Sequence, residues 1–133
     1  MARARGEFTV TLTPQSSDEL TGASTLVRLA IDKQFTGDLI GASKGEMLSA
    51  GTPVKGSAGY VALERVVGAL HGRTGSFVLQ HSGRMTRGSP ELTVSVVPDS
   101  GSGELTGLTG TMRIIIEGKR HSYEFDYTIG MNV

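Results

Sequence analysis

The sequence predicts an all-β protein, a single antiparallel β-barrel of about eight strands. Three observations carry this. Nineteen glycines lie without period between runs rich in Val, Ile, Thr, Leu and Phe, the texture of short strands joined by tight turns. Two pairs of these runs fold back on one another in registers that can be counted residue by residue. Sustained helical periodicity is missing, and only 14–23 and 99–109 leave room for a helical turn. Antiparallel strands without covering helices must close or sandwich to remove their edges, and a closed barrel of this size is filled by side chains or holds one small ligand.

The elements follow in order. In EFTVTLT (7–13), Phe8, Val10 and Leu12 face one way, with Glu7, Thr9, Thr11 and Thr13 opposite. Strands are expected next over 24–35 and 38–48. Residues 59–70 and 75–85 make a hairpin: a His71-Gly72 turn pairs Leu70 with Arg73. Counting back, Gly68 faces Gly75, Val66 faces Phe77, Glu64 faces Leu79, Ala62 faces His81 and Tyr60 faces Gly83. After a strand over 91–97, residues 110–118 and 121–129 form a second hairpin about Gly118-Lys119. It sets Glu117 against Arg120, Ile116 against His121, Ile114 against Tyr123, Met112 against Phe125 and Gly110 against Tyr127. Each hairpin keeps a mostly apolar set on one face, as one buried side requires. The inward glycines at 68, 75, 83 and 110 fit tight barrel corners, or room left for a ligand.

At 133 residues the chain is expected to form one domain, 1–133, with 1–5 a flexible, solvated start containing Arg3 and Arg5. Thirteen basic and thirteen acidic residues cancel, which argues against a nucleic-acid partner, since such binding needs excess cationic charge. The chain has no cysteine, which excludes disulfides, thiolate nucleophiles and thiolate metal sites. No apolar run reaches the roughly 20 residues that span a bilayer, and the start is polar and strand-like by Gly6, so no membrane partner and a cytoplasmic location are expected.

Three candidate sites emerge. Tyr60, Glu64 and His81 share a face with Val66, Phe77 and Leu79, and Ala62 sits among them, so their polar tips converge. A carboxylate in an apolar cavity has its pKa raised, which suits acid or base work near neutral pH. The same three residues equally suit a buried, hydrogen-bonded cluster that fixes strand register. The ladder His121, Tyr123, Phe125 and Tyr127 reads either as an aromatic core seam or, with Phe77, Leu79 and Met112, as a ligand-lining wall. DSGSGELTG (99–107) has neither the spacing nor the ending of a phosphate loop and reads as a corner. Glu64, His81 and His121 offer a metal two nitrogens and one oxygen across strands, but no metal-site spacing is present; no metal or cofactor is expected. A Gly-x-Ser-x-Gly elbow is absent.

GYVALERVVGALHGRTGSFVLQHSG (59–83), VVPDSGSGELTGLTG (96–110) and HSYEFDYTI (121–129) together resemble a family of small bacterial proteins of unknown function. That family is similar in fold to the allene oxide cyclases and dirigent proteins. The link to the cyclases rests on the corner of Gly101, Gly103, Gly107 and Gly110 around Leu105; the aromatic residue those proteins carry near the leucine is missing, and none of their catalytic residues is carried over. The resemblance implies an allene oxide cyclase-like barrel with an apolar central cavity, found in dimers or trimers. The expected function is a cofactor-independent isomerase or cyclase for a hydrophobic small molecule, with Glu64 and His81 handling or orienting protons. A non-catalytic binder of such molecules and a filled barrel serving protein contacts are the alternatives. Outward Val61, Leu63 and Val67 suggest a homo-oligomer.

Overall fold

A computed structural model of the chain describes residues 1–130. Nine strands form one sheet: β1 (Ala2–Glu19), β2 (Thr25–Phe35), β3 (Leu39–Gly51), β4 (Ala58–Leu70), β5 (Arg73–Thr86), β6 (Ser89–Val96), β7 (Ser102–Gly103), β8 (Leu108–Glu117) and β9 (Arg120–Ile129). β1 to β6, β8 and β9 run antiparallel in chain order around a ring that closes where β1 meets β9, while β7 adds two residues beside β5. No helix occurs among the described residues, and none is long and apolar enough to cross a membrane. Both hairpin registers agree with the alternation pattern: Glu64 faces Leu79, Ala62 faces His81, and Met112 faces Phe125.

Two segments differ from expectation. Residues 2–8 pair with β9 instead of waving in solvent, because Ala4 is fully buried and Arg3 and Arg5 reach Asp126 and Glu124 on the outer face. Residues 14–19, where the sequence left room for a helical turn, extend β1 past the expected 7–13 and past a bulge near Pro14.

The ring is packed at one end and open at the other. On β2, Phe35, Lys33 and Ile31 are buried, while Leu29 and Val27 are only half-buried. The inner faces of β3, β4, β5, β6 and β8 lose burial in the same direction, ending at half-buried Met47, Tyr60 and Ile114 and exposed Met85 and Leu92. The closed end is filled by Leu39, Leu70, Phe77, Leu105, Leu108 and Phe125. Residues 97–107 plug it: Leu105 is fully buried, and Ser100 and Ser102 accept backbone N–H bonds from Val78 and Ser76.

Glycine makes the closed end tight. Gly41, Gly68, Gly75 and Gly103 lie opposite one another across β3, β4, β5 and β7. A Cβ on Gly75 would sit 2.0 Å from the Ser102 carbonyl oxygen, and one on Gly83 would sit 2.5 Å from the Tyr60 ring. The inward glycines are therefore corners already occupied by neighbouring backbone or rings, not vacant space for a ligand. Gly75→Ala is expected to destabilise the fold by about 1–3 kcal/mol through overpacking. Gly51→Ala, whose added methyl meets nothing within 4 Å, should be neutral or slightly stabilising. Urea unfolding of the two variants compares them directly.

Candidate functional site

One polar cluster sits at the deepest level of the open end. Lys33 on β2, Ser43 on β3, Glu64 on β4 and His81 on β5 are all buried. Their placement follows the stagger of the strands. Lys33 lies opposite Ser43; Ser43 lies opposite Val66, two residues from Glu64; and Glu64 lies opposite Leu79, two residues from His81. The four side chains thus form a diagonal across the tilted sheet. Gly45 faces Glu64, where a side chain would collide with the Leu63 carbonyl and the Glu64 Cβ, so β3 and β4 stay close at this point.

Both carboxylate oxygens of Glu64 are engaged. Ser43 Oγ donates to Oε1 at 2.7 Å, while Lys33 Nζ at 2.7 Å and His81 Nε2 at 2.6 Å donate to Oε2. The Lys33 ammonium also lies 4.9 Å from the centre of the Phe8 ring, a cation–π contact on its apolar side. Burial pushes the Glu64 carboxyl up. The His81 hydrogen bond and the charge and hydrogen bond of Lys33 together outweigh burial and hold it down at about 2. The expectation of a raised Glu64 pKa is corrected by the cation beside it: Glu64 is an anion at neutral pH and a poor base.

An ionised carboxylate only accepts, so His81 carries its hydrogen on Nε2 and presents Nδ1 as an unprotonated acceptor when the ring is neutral. Among the described residues, neither His81 Nδ1 nor the Tyr60 hydroxyl has a hydrogen-bond partner, and neither atom is sealed from solvent. The two rings lie 6.2 Å apart, with Tyr60 covering Gly83. Burial, and then the Glu64 charge, push the Tyr60 phenol above its usual value, so it is a neutral donor at pH 7. Sequence reasoning thus brings Tyr60, Glu64 and His81 together correctly. It misses Lys33 and Ser43, although the alternation Leu29, Ile31, Lys33, Phe35 places the lysine on the apolar face.

The other candidates lie elsewhere. Phe77, Leu79, Tyr123 and Phe125 are almost wholly buried in the packed core, and Phe77 stacks on Phe125 at 5.8 Å. The Tyr123 hydroxyl accepts from the Leu39 amide at 2.9 Å and donates to the Thr36 carbonyl at 2.7 Å, pinning a turn. Met112 is buried in the same core. Tyr127 sits at the closed end against His71, and His121 packs on Phe8 at 5.3 Å. No group of three His, Asp or Glu residues among the described residues is arranged to hold a metal ion.

The network makes stability depend on acid. Because the folded-state pKa of Glu64 is lowered, its contribution is complete above the ordinary carboxylate range and is lost as pH falls from 4.5 to about 2. Its size is on the order of 3 kcal/mol. Glu64→Gln is expected to flatten that acid-side loss and to cost about 3–5 kcal/mol at pH 7, since the Lys33 ammonium stays buried without its anion. Denaturant unfolding at pH 7 and pH 3 measures both effects.

Comparison with known proteins agrees with the barrel but names no activity. Residues 4–127 match the family model described as protein of unknown function, DUF3224. A crystal structure of a DUF3224 protein of unknown function from Shewanella oneidensis MR-1 is 55% identical, covers 99% of each chain and superposes with a TM-score of 0.95. A search of curated proteins finds no match. With a family model spanning nearly all of the barrel and a solved relative of the same family this similar, the chain belongs to the DUF3224 family.

Proposed function

We propose that the open end of the barrel is a proton-transfer site for a hydrophobic, uncharged carbonyl compound, acting as a cofactor-independent isomerase or cyclase. One observation carries the reading: His81 is fixed by an anionic Glu64 through Nε2, while its other nitrogen and the Tyr60 phenol are left without protein partners. Leu29 and Met47, facing each other on β2 and β3, are half-buried apolar residues, and half-buried Val10 and Ile114 pack against the core. In this reading His81 Nδ1 removes a carbon-bound proton beside the carbonyl. Tyr60 donates a hydrogen bond to the oxygen as it gains charge. The proton returns from His81 at another carbon, which isomerises the substrate. Glu64 positions the imidazole and balances the imidazolium, and Lys33 keeps Glu64 ionised.

Buried ion pairs are poor stabilisers compared with apolar packing, which is why a role beyond stability is favoured. The test is deuterium wash-in at the acidic carbon of hydrophobic β,γ-unsaturated ketones in D2O, followed by NMR. His81→Gln is expected to lower the rate by about 10²–10⁴-fold, and Tyr60→Phe by less. A rate no faster than free imidazole for every ketone would remove the catalytic reading.

A second reading is a non-catalytic binder, favoured by the complete hydrogen bonding of both Glu64 oxygens. It expects saturable binding of uncharged N-phenyl-1-naphthylamine, weakened by Tyr60→Phe, with no deuterium wash-in.

We also propose that the protein self-associates through the outer face of β3 and β4, as a dimer or trimer. Ile40, Val61, Leu63 and Val67 are each more than half exposed there, and Leu48 lies opposite Val61. Sedimentation should show an oligomer that Leu63→Lys converts to monomer; a wild-type monomer at low micromolar concentration would refute it.

A further inference from the structure

The closed end carries a second ionisable cluster, independent of the Glu64 site. The Tyr127 hydroxyl lies 2.5 Å from His71 Nδ1, and His71 Nε2 faces Asp38 Oδ2 at 3.5 Å. Asp38 is held rigidly: its Oδ2 accepts the Arg5 amide at 2.8 Å and its carbonyl accepts the His71 amide at 2.9 Å. His71 occupies a left-handed position, φ +46°, in the two-residue turn before Gly72. Such a turn takes Asn or Gly with least strain.

In the tautomer with the hydrogen on Nε2, the nitrogen 3.5 Å from the Asp38 carboxylate, Nδ1 is the acceptor and Tyr127 the donor. Tyr127, 7% exposed, lines an open depression of about 480 Å³ with Met1, Ala2, His71, Arg73 and Ile129. Burial pushes the Tyr127 phenol above its usual value, so the group is neutral at rest and reacts only if a base takes its proton during the step.

We infer that Asp38, His71 and Tyr127 form a nucleophilic site at the closed end, in which Tyr127 accepts an acyl group from a small, uncharged activated ester. The phenolic oxygen bonds to the acyl carbon while its proton passes to His71 Nδ1. The bond from that carbon to the leaving alkoxide or phenoxide breaks, and the leaving group takes the proton from His71. Asp38 balances the transient imidazolium, and the Arg73 guanidinium on the rim attracts the charge developing on the carbonyl oxygen.

Para-nitrophenyl acetate is the probe, with peptide mass spectrometry to locate the acetyl group. The chain has three tyrosines, so Tyr60 and Tyr123 serve as internal comparisons. The expected result is one acetyl group on Tyr127, with neither of the others labelled. Labelling should slow about a hundredfold in His71→Asn, which keeps the left-handed turn, and at least about tenfold in Asp38→Asn. Tyr127→Phe should lose the label altogether. No label on Tyr127, equal labelling of Tyr60, or an unchanged rate in a His71→Asn protein with the wild-type melting curve would overturn the assignment.

Discussion

The Glu64 carboxylate is the constraint around which this barrel is arranged. It is buried at the level where packed core gives way to open mouth, and it draws one partner from each of three neighbouring strands. A buried anion is tolerated only when paired and hydrogen-bonded, so β2, β3, β4 and β5 must hold their stagger for the contacts to form. A slip of one residue on any of these strands would turn its member outward and strand the charge. The network therefore enforces register more firmly than apolar side chains would.

The barrel is polar along its axis in the architectural sense. At the closed end a row of facing glycines brings the strands near one another, and the 97–107 connection seals the opening with Leu105. At the other end the long β1–β6 strands run past the core, and their inner faces become progressively exposed. Buried and half-buried inner positions of β4 meet between Ala62 and Tyr60; deeper inner positions are filled by packed side chains, aromatic rings among them, and those at the far end of the open side are exposed.

Two histidines lie beside carboxylates at different levels of the barrel, and their surroundings set them apart. His81 touches an almost wholly buried Glu64 that a lysine keeps ionised. His71 stands at the rim, with a partly exposed Asp38 on one side and the Tyr127 phenol on the other. Coulomb interactions are far stronger in the first setting, where solvent screening is weak, than in the second.

The sequence by itself determined the all-β class, both hairpin registers and the inward direction of Tyr60, Glu64 and His81, because alternation and two-residue turns are local properties. It also marked the residues now seen as a core seam, without deciding between seam and pocket wall: Tyr123 directs its hydroxyl to backbone, a partnership between residues far apart in the chain. Only the tertiary structure decided the protonation state of Glu64. That state depends on Lys33, 31 positions away, reaching the same oxygen as His81 across two intervening strand pairings. The inward glycines followed the same rule, since whether a missing side chain leaves space or admits a neighbour is settled by what the closing sheet places there. Hairpin contacts join residues close in the chain, whereas charge balance and cavity filling are set by strands brought together only when the ring shuts.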